Sequence, residues 1–112
     1  MTLPNAERAS IDDAKIVDYL LSSAHPVGRF KARFFVSLGY TAEEWWRLRD
    51  DILAVARTGS VALESAGPYG RKFEVDGILA APAGKSAMVR TVWIIRTEED
   101  FPRLVTVFPR YA

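Results

Sequence analysis

The stretch "RKFEVDGIL", residues 71–79, decides how the rest of the chain is read. Phe73 and Val75 alternate with Lys72, Glu74 and Asp76. A period of two places the apolar pair on one face of a strand and the charged residues on the other. Downstream the signal persists. "APAGKS" (81–86) is a turn, "SAMVRTVWIIRT" (86–97) is a strand with apolar residues on both faces, and "EEDFP" (98–102) is a second turn. "RLVTVFP" (103–109) is a last strand, and "SVALES" (60–65) is a short strand before the "AGPYG" turn. An apolar run on both faces marks an interior strand.

Upstream the period is helical. In "DDAKIVDYLLSS" (12–23), Ile16, Tyr19 and Leu20 fall at helical spacing, and Asp12 is available as a cap. "PVGRFKARFFVSLG" (26–39) puts Phe30, Phe34 and Leu38 on one stripe, with Pro26 in the first turn and Gly39 as a stop. "TAEEWWRLRDDILAVARTG" (41–59) opens with a Thr41–Glu44 capping box and carries Trp45, Leu48, Ile52 and Val55 as its apolar stripe. Adjacent Trp45 and Trp46 cannot both face one core, which leaves Trp46 for a partner. Helices followed by strands predict an α+β fold: N-terminal helices packed on an antiparallel meander of three or four strands. Phe34, Leu38, Trp45, Leu48, Ile52, Val92, Ile94 and Leu104 are the expected core.

The 112 residues suit a single domain spanning 1–112. Three Trp, four Tyr and six Phe belong to a globular chain. With no Cys there are no disulfides or thiolate metal sites, and one His argues against a dedicated zinc site. No metal or cofactor is expected. No apolar run reaches the roughly 18 residues of a membrane span, and "MTLPNAERAS" lacks the apolar core of a signal peptide. No membrane partner is expected, and a cytoplasmic location is. Fifteen Lys and Arg against fourteen Asp and Glu exclude a generally basic nucleic-acid binder. Arginine supplies six of the eight cations of residues 57–112, so a local basic cleft is compatible with the near-neutral total.

The only histidine sits in "HPVGRFKARFF" (25–35), beside Arg29, Lys31 and Arg33. Arg29 and Arg33 share a helix face and Lys31 lies elsewhere, so the three are not one patch. Either His25 caps a helix with the cations solvated, or His25 and Lys31 face a shared cleft, where a histidine serves as general acid or base. Tyr69, Arg71 and Lys72 stand at a strand entry, as an ordinary hairpin loop or as a rim that holds side chains toward a site. Thr91 and Thr106 are either good strand formers or hydroxyls lining one groove, flanked by Arg90 and Arg103. The Asp50–Asp51 pair reads as solvated. No phosphate-binding glycine loop, dinucleotide fingerprint or nucleophile elbow is present.

The words "LPNAE" (3–7), "HPVG" (25–28), "KARFF" (31–35), "LGY" (38–40), "YGRKFEV" (69–75), "TVWII" (91–95) and "PRLVT" (102–106) resemble a small family of uncharacterised bacterial domains of unknown function. The likeness runs from Leu3 to about Pro109. The order of elements and the scattered His, Lys, Thr and Tyr also resemble metal-independent ribonuclease toxins of the barnase, EndoU, colicin and RelE type. That resemblance implies RNA as substrate, attack by its own 2′-hydroxyl, and a cognate antitoxin or immunity protein as partner. It implies catalytic roles for His25, Lys31, Lys72, Thr91 and Thr106. Tyr69 would stack a base, and Arg71, Arg90 and Arg103 would help hold the substrate. The competing expectations are a non-catalytic binding module (an antitoxin, immunity or adaptor protein) and an enzyme acting on a small phosphorylated metabolite.

Overall fold

Asp12 opens the first long helical segment by accepting from the Ala14 N–H at 3.0 Å, so one of the unpaired first-turn donors is satisfied. The computed structural model describes residues 1–110. After a 3-10 turn at Ala6–Arg8, helix α1 (Asp13–Lys15) continues directly as a π-helical stretch, Ile16–Leu20. Ile16 and Leu20 are buried.

Helix α2 spans Gly28–Ser37. Its placement depends on Gly28, where a Cβ would lie 2.1 Å from the Tyr19 carbonyl oxygen. That backbone approach turns the Gly28, Ala32 and Phe35 face inward. The expected Phe30–Phe34–Leu38 stripe is therefore corrected. Leu38 is buried, Phe34 is half-buried, and Phe30 is exposed with the Arg29 guanidinium 4.9 Å from its ring centroid.

Helix α3 spans Trp45–Thr58 and ends at Gly59. Thr41 Oγ1 accepts from the Glu44 N–H at 3.2 Å. The helix starts only at Trp45, so this bond closes the turn before it rather than a capping box. Leu48, Ile52 and Val55 are buried, each contributing about 1.5–3 kcal/mol of hydrophobic stabilisation. Trp45 is half-buried and Trp46 exposed. Asp51 is not simply solvated: it accepts from the Tyr40 hydroxyl at 2.6 Å.

Four strands follow, β1 (Ser60–Gly67), β2 (Gly70–Ala80), β3 (Ser86–Arg96) and β4 (Arg103–Pro109). They form one antiparallel meander in the order β1-β2-β3-β4. Register pairs Phe73 with Trp93 and Val75 with Thr91. Those four, with Leu79, Val89, Leu104 and Val107, are buried on the helix-covered face. Val92 and Ile94, expected in the core, point the other way and are half-buried. Strand β3 is interior to the sheet, but the helices cover one face only. In β4, Val92 pairs with Thr106 and Trp93 with Leu104, so Val105 is an extra bulge residue. The bulge reverses the alternation and allows both Leu104 and Val107 to face the core.

Candidate active site

The approach of Gly28 to Tyr19 sets the start of α2 beside the helical segment that α1 begins, and Lys31 of α2 reaches the Val107 carbonyl of β4. Between them opens a cleft of about 770 Å³ lined by Asp12, Lys15, Tyr19, His25, Lys31 and Thr106, among others. His25 Nδ1 accepts from the backbone N–H groups of Val27 at 3.0 Å and Gly28 at 2.9 Å. It thereby caps the first turn of α2. Its ring meets Tyr19 edge-on, with centroids 4.9 Å apart. A nitrogen that accepts two hydrogen bonds carries no proton, so the hydrogen of the neutral ring is assigned to Nε2.

Lys31 Nζ donates to the Val107 carbonyl at 3.1 Å and lies 5.5 Å from the Phe108 ring centroid. Burial pushes its pKa below the ordinary lysine value, because the cation loses solvation. Thr106 Oγ1 is buried and has no hydrogen-bond partner. Leaving such a group without a partner costs about 1–3 kcal/mol; Val92, paired with Thr106 across the ladder, lies on the uncovered face of the sheet. Three of the expected residues, His25, Lys31 and Thr106, thus meet in one cleft.

The others do not join them, and the single composite site expected from the sequence is corrected accordingly. Thr91 is fully buried; its hydroxyl donates to the Val75 carbonyl at 3.0 Å and accepts from Trp93 Nε1 at 2.7 Å. Arg90 makes two hydrogen bonds to Asp76, at 2.7 and 2.8 Å, and reaches Glu74 at 3.5 Å, while Arg110 also approaches Asp76 at 3.3 Å. The hydrogen bonds from Arg90 hold the Asp76 carboxyl below the ordinary carboxylate range. Arg71 is paired with Glu64, at 2.6 and 3.1 Å. Arg103 is clasped by Glu99, at 2.7 and 2.9 Å. Tyr69, on the β1–β2 turn, is 79% exposed and lines a separate hollow with Lys72.

Lys15 and Tyr19 were not singled out by the sequence reading. Their i, i+4 spacing signals a shared helix face, but Tyr19 entered there only through its helical spacing with Ile16 and Leu20. Among the described residues no group of three His, Cys, Asp or Glu could hold a metal ion, and no helix is long and apolar enough to cross a membrane.

No match is found among curated proteins. Among solved structures, a chain of the contact-dependent growth inhibition toxin–immunity protein complex from Klebsiella pneumoniae 342 is similar, with a TM-score of 0.73. The match covers 89% of this chain and 98% of that one at 16% sequence identity, which is a likeness of fold. A family profile described as a domain of unknown function (DUF6883) matches residues 2–111, nearly the whole sequence. The chain belongs to that family of uncharacterised domains.

Proposed function

We propose that this domain is a metal-independent endoribonuclease of the bacterial toxin type, acting on RNA in the cytoplasm and held in check by a cognate immunity protein or antitoxin. The observation that carries this reading is that His25 and Lys31 line one open cleft, with Thr106 at its wall. The fold-level likeness to a chain of a toxin–immunity complex is compatible with it.

The chemistry needs no group beyond these. Lys31 in its amine form takes the proton of the 2′-hydroxyl, and the 2′-oxygen attacks phosphorus. The bond from phosphorus to the 5′-oxygen breaks, and the Lys31 ammonium returns the proton to that leaving oxygen. A 2′,3′-cyclic phosphate and a 5′-hydroxyl result. Desolvation of Lys31 favours the amine that begins the cycle. His25 is better suited to hydrogen-bond donation than to proton relay, since its Nδ1 is occupied by the start of α2. Its Nε2–H would donate to a non-bridging oxygen, where charge grows in the transition state.

The test is cleavage of RNA in EDTA, read beside thermal melting. Lys31→Ala should lose about 10²–10⁴-fold in rate with no loss of melting temperature. His25→Asn keeps an acceptor for the cap and removes the Nε2 donor, so it should melt near wild type and cleave about 10²-fold more slowly. Wild-type rates in both variants would refute the assignment.

A second reading, a non-catalytic antitoxin, immunity or adaptor module, is favoured by the His25 cap itself and by exposed Trp46. It expects no cleavage at all, and His25→Ala to lower stability by about 0.5–2 kcal/mol as any lost cap does.

A further inference from the structure

The cleft does not stop at Thr106. Asp12 and Lys15 also line a neighbouring hollow with Arg96 and Arg103. Arg96 lines the next one, under the β3–β4 turn, together with Tyr69. Tyr69 belongs in turn to the hollow that holds Lys72. A backbone hydrogen bond of 3.2 Å from Thr97 to the Tyr69 carbonyl ties the two turns together. The hollows follow β4 back from Thr106 to Arg103 and then cross the end of the sheet. From strand geometry that path is on the order of 25 Å long, inside the 35 Å long axis of the molecule.

Charge along this path is mixed, since Asp18 and Glu98 line it as well as cations. Lys15, Arg96 and Lys72 make no ion pair among the described residues. Of the acids beside them, Asp12 accepts from the Ala14 N–H and Glu99 is engaged by Arg103, while Asp18 and Glu98 make no ion pair among the described residues. Tyr69 stands on a two-residue turn with its ring open to solvent. Gly70 enforces that turn: its φ is 139°, and a Cβ there would lie 2.1 Å from the Ile95 carbonyl oxygen.

We infer that the joined hollows form a track for single-stranded RNA, running from the His25–Lys31 cleft to Tyr69, where a base stacks on the ring. The inference rests on the ribonuclease reading of the cleft. Unpaired cations spaced along a groove contact phosphates, and an exposed aromatic supplies sequence-tolerant stacking.

The experiment measures fluorescence anisotropy of labelled 2′-O-methyl oligonucleotides with the full chain, since the blocked 2′-oxygen prevents cleavage. A strand of about 12 nucleotides, within the range that small single-strand-binding folds occupy, should bind more tightly than a dinucleotide. Tyr69→Ala should weaken the long strand about 10-fold and leave the dinucleotide unchanged. Arg96→Ala should weaken the long strand too, and reduce the salt slope by about 0.7. Tyr69→Ala binding the long strand like wild type, or no gain with length, overturns the track and leaves this rim as a protein-facing surface. Cleavage of an unmodified dinucleotide judges the cleft separately. Its absence counts against the ribonuclease reading, while the binding series still decides the track.

Discussion

Thr91 and Thr106 look alike in sequence, each a threonine within an apolar strand, and the fold gives them opposite circumstances. The Thr91 hydroxyl holds the Trp93 indole N–H inside the core. Thr91→Val keeps the shape and strands that N–H without an acceptor, so urea unfolding should show a loss of about 1–3 kcal/mol. The Thr106 hydroxyl has nothing to lose, being buried without a partner among the described residues. Thr106→Val should leave stability unchanged or raise it. Equal destabilisation by both substitutions would mean that the Thr106 hydroxyl has a structural partner.

At the scale of elements, the uncovered face of the sheet is joined across β2 and β3 by the ion pairs of Arg90 with Asp76 and Glu74. Asp76 has a folded pKa below its unfolded value, chiefly through hydrogen bonds from Arg90. A carboxyl with a depressed folded pKa binds fewer protons in the native state than in the unfolded one. Its contribution is therefore complete above the unfolded value of about 3.9 and is lost as pH falls through the folded one. Asp76 keeps nearly a quarter of its side-chain exposure, so solvent screens the pair and the effect should be modest. Melting curves of wild type and Asp76→Asn should differ at neutral pH and converge as pH drops below about 4. A difference that persists undiminished into acid would assign the effect to packing rather than charge.

Across the whole molecule, the N-terminal segment reaches both edges of the sheet. Val61 of β1 donates to the Met1 carbonyl at 2.9 Å. At the other edge, Ser10 donates to the Pro102 carbonyl at 2.8 Å and accepts from the Leu104 N–H at 3.0 Å. Leu3 and Ala6 are buried between those ends. Such a strap occupies edge groups that would otherwise recruit another chain. Removal of residues 1–10 should lower the melting temperature and promote self-association, read by sedimentation at several concentrations. A truncated chain that melts like wild type and stays monomeric would show that the strap is dispensable.

The order of elements was legible in the residues alone. Helical spacing in Leu48, Ile52 and Val55 and alternation in Phe73 and Val75 are local patterns, created by the geometry of each element. The α+β meander followed from them. The side chains near His25 were legible in part, because Lys31 is close in sequence. What local patterns could not supply was the inward face of α2, the bulge at Val105, and therefore the separation of Thr106 from Thr91. Those depend on contacts between distant segments: Gly28 against Tyr19, and β4 against β3. A one-residue change of phase alters neither composition nor spacing, yet it exchanges the two faces of a strand. The sequence by itself determined which elements form and in what order, because periodicity is local. Only tertiary packing decided which side chains meet in the cleft, because register and close approach belong to pairs of elements.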